Sequence, residues 1–179
     1  MTHSDKSRMY RMLRYRPDLT TLLLIGLAIY FWFRPPAWVS EQATATPSFS
    51  VQLVDHRSLG NQSLLGKVVL INFWATWCPF CRHEMPAMEE FYQDYQNKGF
   101  EILAISIESD AALIAQFMKD EGYTFPAAVS NATVSKAFGS VNRVPLSFIL
   151  DKQGVIRHKI VGQVHYARLH ELVTPLLNE

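Results

Sequence analysis

The sequence predicts an α/β fold, a central mixed β-sheet flanked by helices, with one apolar helix ahead of it. Three observations carry this prediction. Residues 68–74 and 101–107 are runs of apolar and β-branched residues, as expected of strands covered on both faces. Each run is followed by a pattern of apolar residues three and four apart, the signature of an amphipathic helix. A charge-free stretch, residues 19–33, stands apart near the N-terminus.

That first stretch is 15 residues long, about 22 Å as a helix against a hydrocarbon core of roughly 30 Å. Trp32 and Trp38 fit an interfacial aromatic belt, and Arg34 can snorkel, so a thin or locally adjusted span is expected. Lys6, Arg8, Arg11, Arg14 and Arg16 precede it against Asp5 and Asp18, while Arg34 alone follows. By the positive-inside rule residues 1–18 stay in the cytoplasm, residues 19–33 form a transmembrane anchor, and the folded domain lies across the membrane. The competing reading is a cleaved signal peptide, with Ala43-Thr44-Ala45 as the small-residue site. That site sits far beyond Phe33, and bulky Phe31, Trp32 and Phe33 end the apolar run. Residues 34–48, with Pro35, Pro36 and Pro47, read as an extended linker.

The domain proper is expected over residues 49–179. Residues 49–54 alternate apolar and polar, a half-exposed strand with its turn at residues 56–60. The strand at 68–74 is expected to be central. After Pro79, the residues Met85, Met88, Phe91, Tyr92 and Tyr95 share one helix face, and Gly99 stops the helix. The Tyr92 and Tyr95 pair reads as packing at the edge of the core. Asp110 is a candidate N-cap for a helix with Leu113, Ile114, Phe117 and Met118 inward, ending at Gly122. A short strand at 125–129 and a short helix at 133–138 follow. Residues 147–150 and 155–161 form a hairpin across Asp151-Lys152-Gln153-Gly154, and Leu169, Leu172, Val173 and Leu176 mark a closing helix. His165 and His170 are read as solvated residues of that helix.

The formal net charge is +1 and charges of both signs are interspersed, so no nucleic-acid footprint exists. The chain has two cysteines, Cys78 and Cys81. A ring so small staples nothing distant, and the pair is there for chemistry or for metal. Residues three apart at a helix start share a face, so the second sulfur sits one turn behind the first. Unpaired N–H groups and the helix dipole favour a thiolate on Cys78, the attacking nucleophile, and Cys81 resolves. Pro79 suits the first helical position but offers no N–H to the sulfur, and Phe80 adds no charge. Both arguments speak against the strongly stabilised thiolate of a powerful oxidant. Zinc would need two further ligands, and His83, the nearest candidate, reads instead as a surface ring. Arg82 stands where haem attachment requires His. No metal or other cofactor is expected.

The stretch from Gly66 to Pro86, with Asn72-Phe73-Trp74-Ala75-Thr76-Trp77-Cys78-Pro79-Phe80-Cys81 at its centre, resembles the active-site segment of the TlpA/ResA-like branch of the thioredoxin superfamily, which includes DsbE-type and ScsD-type proteins. With Val144-Pro145 and the terminal hairpin and helix, the resemblance covers residues 49–177. It implies a thioredoxin-like fold facing the bacterial periplasm from an inner-membrane anchor. It also implies a protein-disulfide reductase that takes electrons from an upstream membrane donor and passes them to clients with cysteines or disulfides, apocytochrome c among them. Trp77 matches an aromatic residue shielding the redox pair, and Pro145 a cis-proline that leaves Val144 to pair with an extended client segment. Glu84 matches an acidic residue that tunes the thiols by charge and proton relay; the alternative is a surface glutamate in the helix's first turn. Phe80 and Leu146 depart from the family pattern, and both are expected to line the client groove, with Phe80 and Val144 as client contacts. An oxidant or isomerase, and a copper- or client-binding redox module, are the competing functional readings.

Overall fold

The computed structural model describes residues 18–33 and 38–179, and the chain divides after Pro36 into two units. In the first, helix α1 (Leu19–Phe33) is capped by Asp18, whose Oδ1 accepts hydrogen bonds from the Thr21 amide at 2.9 Å and the Thr20 hydroxyl at 3.0 Å. Leu22, Leu23, Leu24, Ile25, Leu27 and Ile29 are all exposed, so the helix is apolar around its circumference. It occupies the residues expected of the anchor, but among the described residues no helix is long and apolar enough to cross a membrane. The basic residues expected on the cytoplasmic side, and Arg34 at the start of the expected linker, lie outside the described residues.

The second unit begins earlier than expected. Residues assigned to a linker form strand β1 (Trp38–Ala45), paired antiparallel with β8 (Val155–Val161). Nothing in Trp38–Ala45 alternates strongly enough to announce a strand; its hydrogen bonds to β8 make it one, and a tertiary partner overrides weak local propensity. Pro35-Pro36 and Pro47 bracket it.

The six-stranded sheet runs β1-β8-β7-β4-β5-β6, with β4 (Val68–Trp74), β5 (Phe100–Ser106), β6 (Ala127–Val129) and β7 (Leu146–Leu150). The β4–β5 and β5–β6 pairs are parallel and β4–β7 and β7–β8 antiparallel, so the sheet is mixed and β4 is central. The segment expected as a single strand and turn is instead a separate hairpin of β2 (Ser50–Gln52) and β3 (Ser58–Gly60), leading into the one-turn helix α2 (Asn61–Leu64).

Alternation along β4 divides the core. Val68, Leu70 and Trp74 face α3 (Pro79–Tyr95), α4 (Ala111–Glu121) and α6 (Tyr166–Leu177), packing with Met85, Met88, Phe91, Ile114, Leu169 and Val173. Val69, Ile71 and Phe73 face the other way, with Phe49, Phe148, Val134 of α5 (Ala132–Ala137), and Phe138. The helix stops are those expected: Gly99 (φ +88°) and Gly122 (φ +75°) adopt left-handed backbone that glycine tolerates best, and Asp110 caps α4 through Ala112 N and Leu113 N. His165 proves to be the residue that precedes α6, half-buried, with its Nε2 buried and unpartnered, while His170 is exposed.

Candidate active site

The loop leaving β4 at its C-terminal end delivers Cys78 to the first position before α3, in extended conformation, with Pro79 opening the helix. Cys78 and Cys81 are joined as a disulfide. The Cys78 sulfur accepts a hydrogen bond from the Cys81 amide at 3.3 Å, the helix N–H that the spacing makes available once Pro79 has none to give. Cys81 is fully buried. Cys78, expected to be exposed, is only 3% exposed, whereas its flanking neighbours Trp77 and Phe80 are 66% and 64% exposed. Trp77 and Phe80 thus stand at the surface next to a nearly buried sulfur in the chain.

The loop is held from the end of β5. The Glu108 carboxylate accepts from the Thr76 amide at 2.6 Å and the Thr76 hydroxyl at 2.8 Å. The Ser106 hydroxyl donates to Glu108 at 3.3 Å and accepts from the Glu108 amide at 3.1 Å. On the other side, Gln163 Nε2 donates to the Phe80 carbonyl at 3.0 Å and lies 3.0 Å from His83 Nδ1, so His83 is a tethered ring rather than a loose one. Arg82 pairs with Glu121 at 3.2 Å and lies over the Phe117 ring at 5.4 Å.

The Val144–Pro145 peptide bond is cis, and the Val144 carbonyl lies 3.9 Å from the Cys78 sulfur. Leu146 is buried at the start of β7, so of the two departures from the family pattern only Phe80 presents itself at the surface.

Glu84 is not a surface residue of the first turn. It is fully buried, one turn beyond Cys81 on the same helix, and burial pushes its carboxyl up to about 8. Asn72 Nδ2 donates to Oε1 at 2.8 Å and the Val164 amide donates to Oε2 at 2.8 Å; both bonds lower the value but do not offset burial. No cation pairs with it among the described residues. Asn72 Nδ2 also donates to Ser147 Oγ at 2.9 Å. Sequence reasoning did not single out Asn72, Ser147, Gln163 or Glu108. Asn72 and Ser147 had a visible signal, since each is the lone polar residue of an otherwise apolar strand. Among the described residues no three His, Cys, Asp or Glu side chains converge as a metal site would require.

Residues 41–173 match the Redoxin family. A thiol-disulfide oxidoreductase ResA of Bacillus cereus is 33% identical over 139 residues, covering 78% of this chain and 80% of that protein. ResA of Oceanobacillus iheyensis is 32% identical over 174 residues, 94% of this chain and 90% of the relative. Among solved structures, a thiol:disulfide interchange protein of the thioredoxin family from Chlorobium tepidum TLS superposes with a TM-score of 0.70 at 31% identity, covering 77% of this chain and 99% of that one.

Proposed function

The chain belongs to the Redoxin family, in its TlpA/ResA-like thioredoxin branch, and is a thiol–disulfide oxidoreductase; from that premise we propose that it reduces client disulfides on the outer side of the bacterial inner membrane. The observation that carries the reducing direction is the electrostatic setting of the pair. A dithiol is a strong oxidant when its thiolate is stabilised. Here the Cys78 sulfur meets one backbone N–H, Arg82 is engaged elsewhere, and the acid behind Cys81 is uncompensated. Such a setting favours giving electrons away.

In the proposed cycle a client strand lies along Val144, and the Cys78 thiolate attacks one sulfur of its disulfide. The client S–S bond breaks, the far sulfur leaves as thiolate, and a mixed disulfide with Cys78 forms. Cys81 then loses its proton to ionised Glu84 and attacks the Cys78 sulfur, releasing the second client sulfur as thiolate. Two electrons have moved to the client, and the Cys78–Cys81 disulfide remains. When an upstream membrane donor reduces that disulfide, Cys81 leaves and takes its proton from neutral Glu84. A carboxyl near 8 serves both directions, because each form is populated close to neutral pH.

Membrane attachment is supported by α1, apolar on every side, and by the basic residues ahead of it. A span this short is accommodated by local thinning of the bilayer. The cytochrome c haem-binding cysteines are the first client class to test. The experiment is trapping in intact cells with Cys81→Ser: a stable mixed disulfide on Cys78, recovered in the membrane fraction, names the client. If Cys78→Ser traps readily and Cys81→Ser does not, the two cysteines have the opposite roles.

A further inference from the structure

We infer that Asn72 is a positioning residue whose side-chain amide turns over with the protonation of Glu84, and that Ser147 ties this movement to the strand beside the client. The inference rests on the reading that Glu84 exchanges protons with the cysteine pair, and extends it to residues outside the reactive helix.

Asn72 is fully buried at the middle of β4, on the same face as Leu70 and Trp74, beneath α3. A polar side chain in such a place is costly unless its groups are matched. Its Nδ2 is matched twice, to Glu84 and to Ser147, while its Oδ1 has no partner among the described residues. Both groups directed at the Glu84 carboxyl, Asn72 Nδ2 and Val164 N, are donors. That environment suits a carboxylate. A carboxylic acid has an O–H that needs an acceptor, and in this arrangement none faces it.

A half-turn of the Asn72 amide supplies one. Nitrogen and oxygen exchange places with almost no change of volume, and Oδ1 then accepts from the Glu84 O–H and from the Ser147 hydroxyl. One end of the amide lacks a partner in either orientation, so that cost nearly cancels. The charge on Glu84 decides between them. Ser147 is the registered cross-strand partner of Asn72 and lies two residues after Pro145, so a strand laid against Val144 bears on the same three-group contact. With Cys78 and Cys81 joined as a disulfide, the ionisable side chains next to the Glu84 contacts in the chain are His83 on its own helix and His165 after Val164. β4 and β7 bring none.

The test uses the full oxidised chain in detergent, labelled with carbon-13 and nitrogen-15, where the disulfide leaves no thiol to titrate. The Glu84 carboxyl carbon and the Asn72 side-chain NH2 signals are followed together by NMR from pH 5 to 10. The expected result is one shared midpoint, with the Asn72 signals flat in Glu84→Gln. In Asn72→Leu the carboxylate loses a charge-assisted donor and the neutral acid loses a weaker acceptor, so the Glu84 midpoint rises by the difference, up to about one pH unit. The inference is overturned if Glu84 titrates while the Asn72 signals stay constant, or if Asn72→Leu leaves the midpoint in place. The parent reading fails separately, if Glu84→Gln leaves the pH profile of thiol alkylation in the reduced chain unchanged.

Discussion

Replacing Glu84 by glutamine tests the buried acid of the core, which no cation accompanies among the described residues. With an ordinary carboxyl value of 4.5 in the unfolded chain and about 8 in the folded one, the folded protein holds a proton that the unfolded chain has released. Below 4.5 both states are protonated and Glu84 contributes its full stability. Between 4.5 and about 8 the folded state binds more protons, so unfolding free energy falls as pH rises, and it levels off above. At about 1.4 kcal/mol per pH unit, the loss between pH 5 and 8 amounts to about 4 kcal/mol. The assay is urea unfolding of the oxidised chain, followed by tryptophan fluorescence, for the native protein and Glu84→Gln across this range. The substituted amide does not titrate, so subtracting the two curves removes the contributions of all other groups. Stability of the native protein relative to the variant should drop steadily from pH 5 to 8 and then stay level. A flat difference would show that Glu84 is ionised in the fold and refute the argument from burial.

Two further outcomes follow from the way the site is mounted. Glu108→Ala removes both bonds to Thr76, each to a charged acceptor, and should lower stability by about 1–3 kcal/mol and slow client reduction, measured by thermal unfolding and insulin reduction; equal stability would mean that the loop needs no clamp. A chain starting at Phe49 lacks β1 and bares the edge of β8, so it should melt below a chain starting at Ala37 and associate with concentration in gel filtration, whereas identical behaviour would return residues 38–45 to the role of a linker.

The central strand, the reactive helix and the closing hairpin were legible because their patterns are local. Apolar residues on both sides of one asparagine, a proline after Cys78 and Asp-Lys-Gln-Gly between two strands each announce an element within a few residues. β1 was not legible, since its reason to be extended lies far along the chain in β8. The clamp between Thr76 and Glu108 and the bond from Val164 to Glu84 are likewise long-range, spanning 32 and 80 residues. Burial of Glu84 could not be decided from helix spacing, because the face it shares with Cys81 becomes interior only when the loop after β8 closes over it. Asn72 and Ser147 were visible as odd polar residues, but their meaning depended on a cross-strand register that the pattern of either strand does not contain.

Burial also assigns the two sulfurs their parts. Both cysteines stand at one helix start, so the dipole alone would ionise either, and Cys81 has the donor amide that reaches the other sulfur. What separates them is burial: Cys81 is fully buried, in the core cluster shared by the sheet and α6, while Cys78 is 3% exposed. In the proposed cycle a client disulfide therefore meets Cys78, and Cys81 reacts with the sulfur attached there. On that reading the mixed disulfide is resolved once Cys81 loses its proton, and the proposed acceptor is Glu84, whose carboxyl burial pushes up to about 8. On that reading, order of attack and timing of release come from the same packing.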